Sequence, residues 1–383
     1  MSTINLAVIS DLHCSHSSKD EKKDCKLHSD DLGTSDKRHP VKSLLKLIKK
    51  ENLSSDLVLC PGDITNCADK QGLITGWSFL KEIRSALNAT DIIATIGNHD
   101  IDSRNLSLGN VFSEIKYLDD NYPLPNVLKD EYWSNGYSFW KSNDILILNI
   151  NTCYYHGNHV TVNESKIDQA QLDKIESLLD SENLETYNYR IALCHHHIIA
   201  HSNLDYSDSD KLDKGDNLAL LLRKFNFQIV IHGHKHDPRL TMYNRLPIFC
   251  AGSFSSRMNT KDLEIQNTFH IVTLEKNHPT GYIRSWIHQP TEGWLTKLDT
   301  YFPCFTGFGF NGDISNLASQ IKAWFDSRSN PIYKYEDLTK SFNTISNMTK
   351  EDQFFLSHEL SKSGIVFHPP YPNLPKIIAT ELR

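Results

Sequence analysis

Residues 231–237 read IHGHKHD: the end of an apolar run, a glycine, then two histidines, His234 and His236, one residue apart. Side chains of extended backbone alternate between two faces, so a His-x-His pair that prolongs a strand presents both rings to one side. Imidazole is a common metal ligand, but an isolated pair is equally at home on a solvated edge. Its meaning depends on what the other strand ends carry.

Apolar runs of the same kind recur along the chain: INLAVIS (4–10), DLVLC (56–60), DIIATI (91–96), DILILNI (144–150), YRIALC (189–194), FQIVI (227–231) and PIFCAG (247–252). They are rich in Ile, Val and Leu, too short for helices and nearly continuous, which predicts strands buried on both faces. Between them lie segments with helical spacing. VKSLLKLIKK (41–50) aligns Val41, Leu44, Leu45 and Ile48, and IDQAQLDKIESLLD (167–180) aligns Ile167, Ala170, Ile175, Leu178 and Leu179. NLALLLRKF (217–225) is a third such segment. Alternating strands and helices imply βαβ units and an α/β fold, with a largely parallel sheet covered by helices. Residues 269–275 and 281–288 read as a closing hairpin. Beyond about residue 300 the pattern changes to an aromatic-rich stretch ending in MTKEDQFFLSHELSKSG (348–364), where Thr349, with Glu351 and Asp352 behind it, is a candidate helix cap. The expected organisation is a 1–299 domain and a mainly helical appendage over 300–383.

Five of these seven runs deliver Asp, Asn or His just past their C-terminal residue. The first leads into Asp11 and His13, the second into Asp63, and the third into Asn98, His99 and Asp100. The run 189–194 leads into the triplet His195, His196 and His197, and the run 227–231 into His234 and His236. In an open α/β sheet this is the edge where ligands bind. Asp11, His13, Asp63, Asn98, His195, His234 and His236 form a nitrogen and oxygen set without a thiolate. That set suits divalent Mn, Fe or Zn rather than calcium, which takes oxygen alone. Seven donors exceed what one tetrahedral ion needs and fit two ions sharing a carboxylate. Gly62, Gly97 and Gly233 are expected to let the backbone turn sharply beside them.

Composition narrows the classes further. The 383 residues are 39% hydrophobic and 23% charged, with a formal net charge of −7. This is a globular composition, and the acidic balance disfavours a nucleic-acid grip through the whole surface while leaving a local groove possible. The N-terminus lacks a basic region and meets Asp11, so a secretory signal is not expected. No apolar stretch approaches the roughly 18 residues of a membrane span. Eight cysteines without a CxxC pair read as free thiols, and the cytoplasm is the expected location. His16, His28, His156, His159 and His201 fall in polar stretches and are expected to be exposed.

The motif series Asp11-x-His13, Gly62-Asp63-x-x-Asn66, Gly97-Asn98-His99-Asp100, a post-strand His195 and Gly233-His234-x-His236 resembles that of the calcineurin-like metallophosphoesterases, over roughly residues 4–290. The resemblance implies a four-layer α/β sandwich of two mixed β-sheets flanked by helices, and a dinuclear metal site. Carried over by position, Asp11, His13 and His236 would hold one ion, Asn98, His195 and His234 the other, and Asp63 would bridge them. Asn66 departs from the Asp of many members, at a position that supports the site rather than binding metal. His195 is taken from its triplet because it comes first after the strand; a supporting role for His196 or His197 stays open.

Two divalent ions about 3.5–4 Å apart lower the pKa of a shared water and stabilise charge in an in-line phosphoryl transfer. His99 is then the expected proton donor to the leaving group, with Asp100 orienting its ring. The expected activity is that of a metal-dependent phosphodiesterase on a small nucleotide or cyclic-nucleotide type of phosphodiester. The alternatives are a DNA nuclease with the same motifs, a phosphomonoesterase or pyrophosphatase, and a metal-stabilised scaffold that recruits a protein partner through 300–383.

Overall fold

The computed structural model of the chain describes residues 2–16, 27–30, 35–103, 111–113, 115–157, 165–201, 210–256, 258–259, 264–296, 302–370 and 375–380. Much of 14–40, parts of 101–135, 152–163 and 200–216, and the expected 299/300 boundary lie outside them.

The first half runs β1 (Thr3–Val8), α1 (Pro40–Glu51), β2 (Leu57–Cys60), α2 (Lys70–Ala86), β3 (Asp91–Ala94), α3 (Asn126–Asn135), β4 (Tyr137–Ser142), β5 (Ile145–Ile150), α4 (Gln169–Ser181) and β6 (Tyr189–Leu193). It continues with α5 (Gly215–Lys224), β7 (Ile229–His232), β8 (Arg239–Tyr243), β9 (Leu246–Cys250), β10 (Met258–Asn259), β11 (Glu264–Ile265), β12 (Thr268–Glu275) and β13 (Gly281–Gln289). The last part holds β14 (Gly293–Leu295), β15 (Phe305–Phe308), α6 (Ile314–Asp326), β16 (Ile332–Lys334), α7 (Tyr335–Ser341), α8 (Lys350–Ser361), β17 (Ile365–His368) and β18 (Ile377–Thr380).

Two mixed sheets form the body. In one, β1, β2 and β3 are parallel, and β12, β13 and β14 extend it antiparallel from β1. The other has the order β4-β5-β6-β7-β9-β8, parallel in the middle with antiparallel β4 and β8 at its edges. Period-two alternation sorts the second sheet's side chains. Ile147, Ile191, Ile229 and Ile231 join the first sheet's Leu6 and Val8 in one core, together with Leu44 of α1 and Leu80 of α2. Their neighbours Leu146, Leu148, Ala192 and Val230 turn the other way, onto Ile175 of α4 and Leu218 of α5. The layers are therefore helix, sheet, sheet, helix, the expected four-layer sandwich, with two sheets in place of one largely parallel sheet.

The helical stripes shift slightly from the expected ones. In α1 Leu47 is buried and Leu45 only half-buried, while in α4 Leu172 packs inward and Leu178 faces solvent at 38% exposure. Both helices begin at side-chain caps, and Asp168 and Gln171 complete a capping box on α4.

The C-terminal region has its own core of Leu317, Ile321, Phe325, Leu338, Leu356, Leu360, Ile365, Phe367 and Ile378. It is less purely helical than the sequence suggests, because β16, β18 and β17 form a three-stranded antiparallel sheet beside the helices. Thr349 does cap α8, in a reciprocal box with Asp352. The region is stitched to the body. β15 pairs with Gly281–Arg284 of β13, and Asn347 Nδ2 donates to Glu275 Oε1 at 3.2 Å. Among the described residues no helix is long and apolar enough to cross a membrane.

Candidate metal centre

All seven predicted donors lie past the C-terminal ends of β1, β2, β3, β6 and β7, and the fold brings them together. His13 Nε2 and His236 Nε2 are 2.8 Å apart. Asp11 Oδ1 lies 3.3 Å from His236 Nε2 and 3.9 Å from His13 Nε2. A second set gathers on Asn98, whose Oδ1 is 3.1 Å from His195 Nε2 and 3.0 Å from His234 Nδ1. Asp63 joins the two, with Oδ2 at 3.6 Å from His13 Nε2 and 3.4 Å from His195 Nε2. His195 is fixed from behind, its Nδ1 donating to Pro61 O at 2.8 Å. Asp11, His13, Asp63 and His195 form a buried floor, and Asn98, His99, His234 and His236 are partly exposed above it.

The backbone reaches this arrangement in an unexpected way. Five of the seven residues are themselves left-handed: Asp11 (φ 51°), His13 (47°), Asp63 (52°), His234 (73°) and His236 (57°). Non-glycine residues seldom occupy that region, and clusters of them mark functional sites. His234 and His236 therefore do not prolong a strand. The left-handed kinks send their rings to different sets, instead of one common face. The glycines also act differently from expectation. Gly62 is left-handed (φ 103°), but Gly97 and Gly233 provide room: a Cβ on Gly97 would stand 2.1 Å from Asp63 Oδ1, and one on Gly233 2.5 Å from Asp11 Oδ2.

The electrostatics suit cations. Asp11 and Asp63 are buried, and among the described residues no Lys or Arg pairs with either. Burial pushes both carboxyls up, but the surrounding imidazoles, His236 for Asp11 and His195 and His99 for Asp63, bring them below the ordinary carboxylate value. Burial lowers His13 to about 3 and also lowers His234, favouring the neutral rings a metal requires. Burial opposes a charged His195 ring, but Asp63 raises it to about 9. Buried acids faced by imidazoles, with no Lys or Arg paired to them among the described residues, fit divalent ions. Asp11, His13, Asp63 and His236 form one group able to hold an ion, and His195, His196 and His234 form another.

The predicted pair His99 and Asp100 divides. His99 borders the centre: its ring centroid is 4.8 Å from that of His13, and its main-chain N–H donates to Asp63 Oδ1 at 2.7 Å. Its Nδ1 is 3.1 Å from Asn66 Oδ1. Asp100 does not orient that ring, contrary to the sequence expectation. Its two oxygens accept instead from the Thr65 and Gly97 main-chain N–H groups at 2.9 and 2.8 Å, tying the third strand's turn to the second's. Burial and the nearby Asp63 raise its carboxyl. Asn66, noted in the sequence only as a departure, is a partner of the ring, together with Cys67.

His196 and His197 lie behind the centre. The His196 centroid is 4.4 Å from that of His234, and its Nδ1 is 2.8 Å from Thr152 Oγ1. His197 stacks on His234 at 6.0 Å. His156, expected to be exposed, is 4% exposed and faces His196. His159 lies outside the described residues.

The profile of the calcineurin-like phosphoesterase family matches residues 4–238. The chain belongs to that family. A search of curated protein sequences returned no match. Among solved structures, a purple acid phosphatase from yellow lupin seeds superposes with a TM-score of 0.50 at 14% identity, over 76% of this chain and 52% of the phosphatase. The chain thus spans about half the length of that protein. Vps29 of Entamoeba histolytica, in complex with zinc, aligns at 13% identity over 74% of this chain and 92% of its own, with a TM-score of 0.34. Likeness at these identities concerns the fold alone.

Proposed function

We propose that the chain is a metal-dependent phosphodiesterase acting on a nucleotide or cyclic-nucleotide type of phosphodiester. The observation that carries this reading is the position of Asp63, one carboxylate within 3.6 Å of His13 and 3.4 Å of His195, shared by two otherwise separate sets. Asp11, His13 and His236 would hold one divalent ion and Asn98, His195 and His234 the other; Mn, Fe or Zn suits these donors. When bound, such a pair supplies an activated water and neutralises charge on the phosphoryl group.

The remaining work falls to the chain's own residues. His99 is the proton donor to the leaving alkoxide. With Nδ1 engaged by Asn66 Oδ1, Nε2 is left to carry the transferred proton. Burial opposes a charged His99 ring, and the Asp63 carboxylate and Cys67 favour it, raising the group to about 9 in the metal-free chain. Asp100 is a positioning residue acting through the two backbone amides it binds. Among the described residues no Lys or Arg pairs with Asp11 or Asp63, which favours a singly charged diester over a monoester dianion.

The test is a paired assay with Mn²⁺, comparing an activated diester with its monoester in the wild type and in Asp63→Ala. Diester turnover lost in a variant that keeps its circular dichroism is the expected result. Preference for the monoester would replace the diester reading with phosphomonoesterase or pyrophosphatase action, and turnover surviving in Asp63→Ala would remove the assignment. A second reading concerns the C-terminal region. Phe354 and Phe355, each 56% exposed on α8, suit contact with a protein partner.

A further inference from the structure

We propose that Cys153, His156 and His196 form a third metal site, separate from the seven-residue centre and selective for zinc-like ions. The three residues come together because β5 and β6 are parallel neighbours, paired through Asn149 and Leu193, and leave the sheet side by side. Cys153 and His156 sit on the turn after β5, held by Cys153 N–H donating to Asn151 Oδ1 at 3.0 Å and His156 N–H donating to Cys153 O at 2.9 Å. His196 follows β6. Each offers a donor atom, and these atoms all lie within 4.8 Å of one another.

All three are buried: Cys153 is 0% exposed, His196 2% and His156 4%. The informative member is His156. Among the described residues neither of its ring nitrogens has a hydrogen-bond partner, although a neutral imidazole carries one donor and one acceptor that must be satisfied away from water. The Cys153 thiol makes long contacts, 3.8 Å to Ile96 O and 4.0 Å to His196 Nδ1, and also meets Thr152. An ion among these atoms would satisfy one of the two nitrogens left unmet.

The donor chemistry sets this cluster apart. One thiolate and two imidazoles, with no carboxylate, form a softer set than the Asp, Asn and His donors next door. Such a set selects zinc over manganese, magnesium or calcium. Three protein donors leave a further position for water. The ion would clamp the turn after β5 to the end of β6, whose His195 and His196 rings stand 4.9 Å apart. It would thereby brace the wall that carries one half of the seven-residue centre.

Cobalt substitution tests this independently of the proposed activity, because the seven-residue centre has no thiolate. Purified protein reconstituted with Co²⁺ should show a near-ultraviolet sulfur-to-cobalt charge-transfer band and bind one equivalent more than Cys153→Ala. That variant should lose the band while keeping the visible absorption of cobalt held by nitrogen and oxygen. Asp63→Ala should keep the band and the visible absorption that accompanies it while binding less cobalt, so failure of the dinuclear reading would show as reduced cobalt stoichiometry with the band intact. His156→Gln, which keeps the thiol, should weaken the band and serves if Cys153→Ala does not fold. A wild type without the band, or a band that persists in Cys153→Ala and comes from another thiol such as Cys67, would overturn the proposal.

Discussion

The strand-end edge of the body and the C-terminal region bury opposite kinds of side chain. At the edge, Asp11, Asp63, Asp100, His13 and His195 are all at most 4% exposed, and five residues of the centre adopt left-handed backbone. Between residues 310 and 380 the buried polar side chains among the described residues are Asn347 and Gln353, and the remainder of that core is aliphatic or aromatic. Buried carboxylates and strained φ angles cost stability and persist only where surrounding structure holds them. The contrast teaches where to look for chemistry: the edge is maintained against its own folding cost, whereas the C-terminal core is what packing alone would select.

Three variants can break or sharpen that contrast. The largest effect is expected at His99. His99→Asn should lower kcat by about 10²–10⁴-fold, the usual contribution of a positioned general acid, without changing metal content. The loss should shrink for a substrate with an acidic leaving group, which needs no proton; equal losses for good and poor leaving groups would assign His99 a purely structural role. Next, Ile321→Ala in the C-terminal core should cost about 2–5 kcal/mol, read as an earlier unfolding step with metal uptake retained. If metal uptake falls in parallel, the two regions are one cooperative unit. The smallest effect belongs to Phe354→Ser combined with Phe355→Ser. These exposed positions should change stability by no more than about 0.5 kcal/mol, and a larger loss in denaturant titration would show that the rings serve packing rather than docking.

The sequence reveals the body's framework because buried parallel strands are written as short apolar runs. All seven runs became strands, and the polar endings of five of them meet at the candidate centre. What it hides has identifiable physical causes. β8, RLTMY, is an edge strand with mostly half-buried side chains, so it carries neither an apolar run nor a clean alternation. Helix α2 carries two glycines, which weaken a helical reading. Both are required for close approach: a Cβ on Gly72 would stand 2.2 Å from Cys14 O, and one on Gly76 2.6 Å from Ile64 Cγ2. The site shows the same division. Candidate donors follow from position after a strand, but Asn66 as a partner of His99 and the burial of His156 depend on how separate loops meet, which no local spacing encodes.

The pairing of β15 with β13 bears on how the chain can be handled. Residues 281–284 of β13 have β12 on one side and β15 on the other, so a shortened protein ending near residue 300 would uncover a row of main-chain donors and acceptors beside Tyr282 and Ile283. Exposed edges of that kind recruit other strands. Shortened versions of this protein would therefore tend to self-associate and precipitate, and an inactive fragment would report on its solubility before it reported on its chemistry.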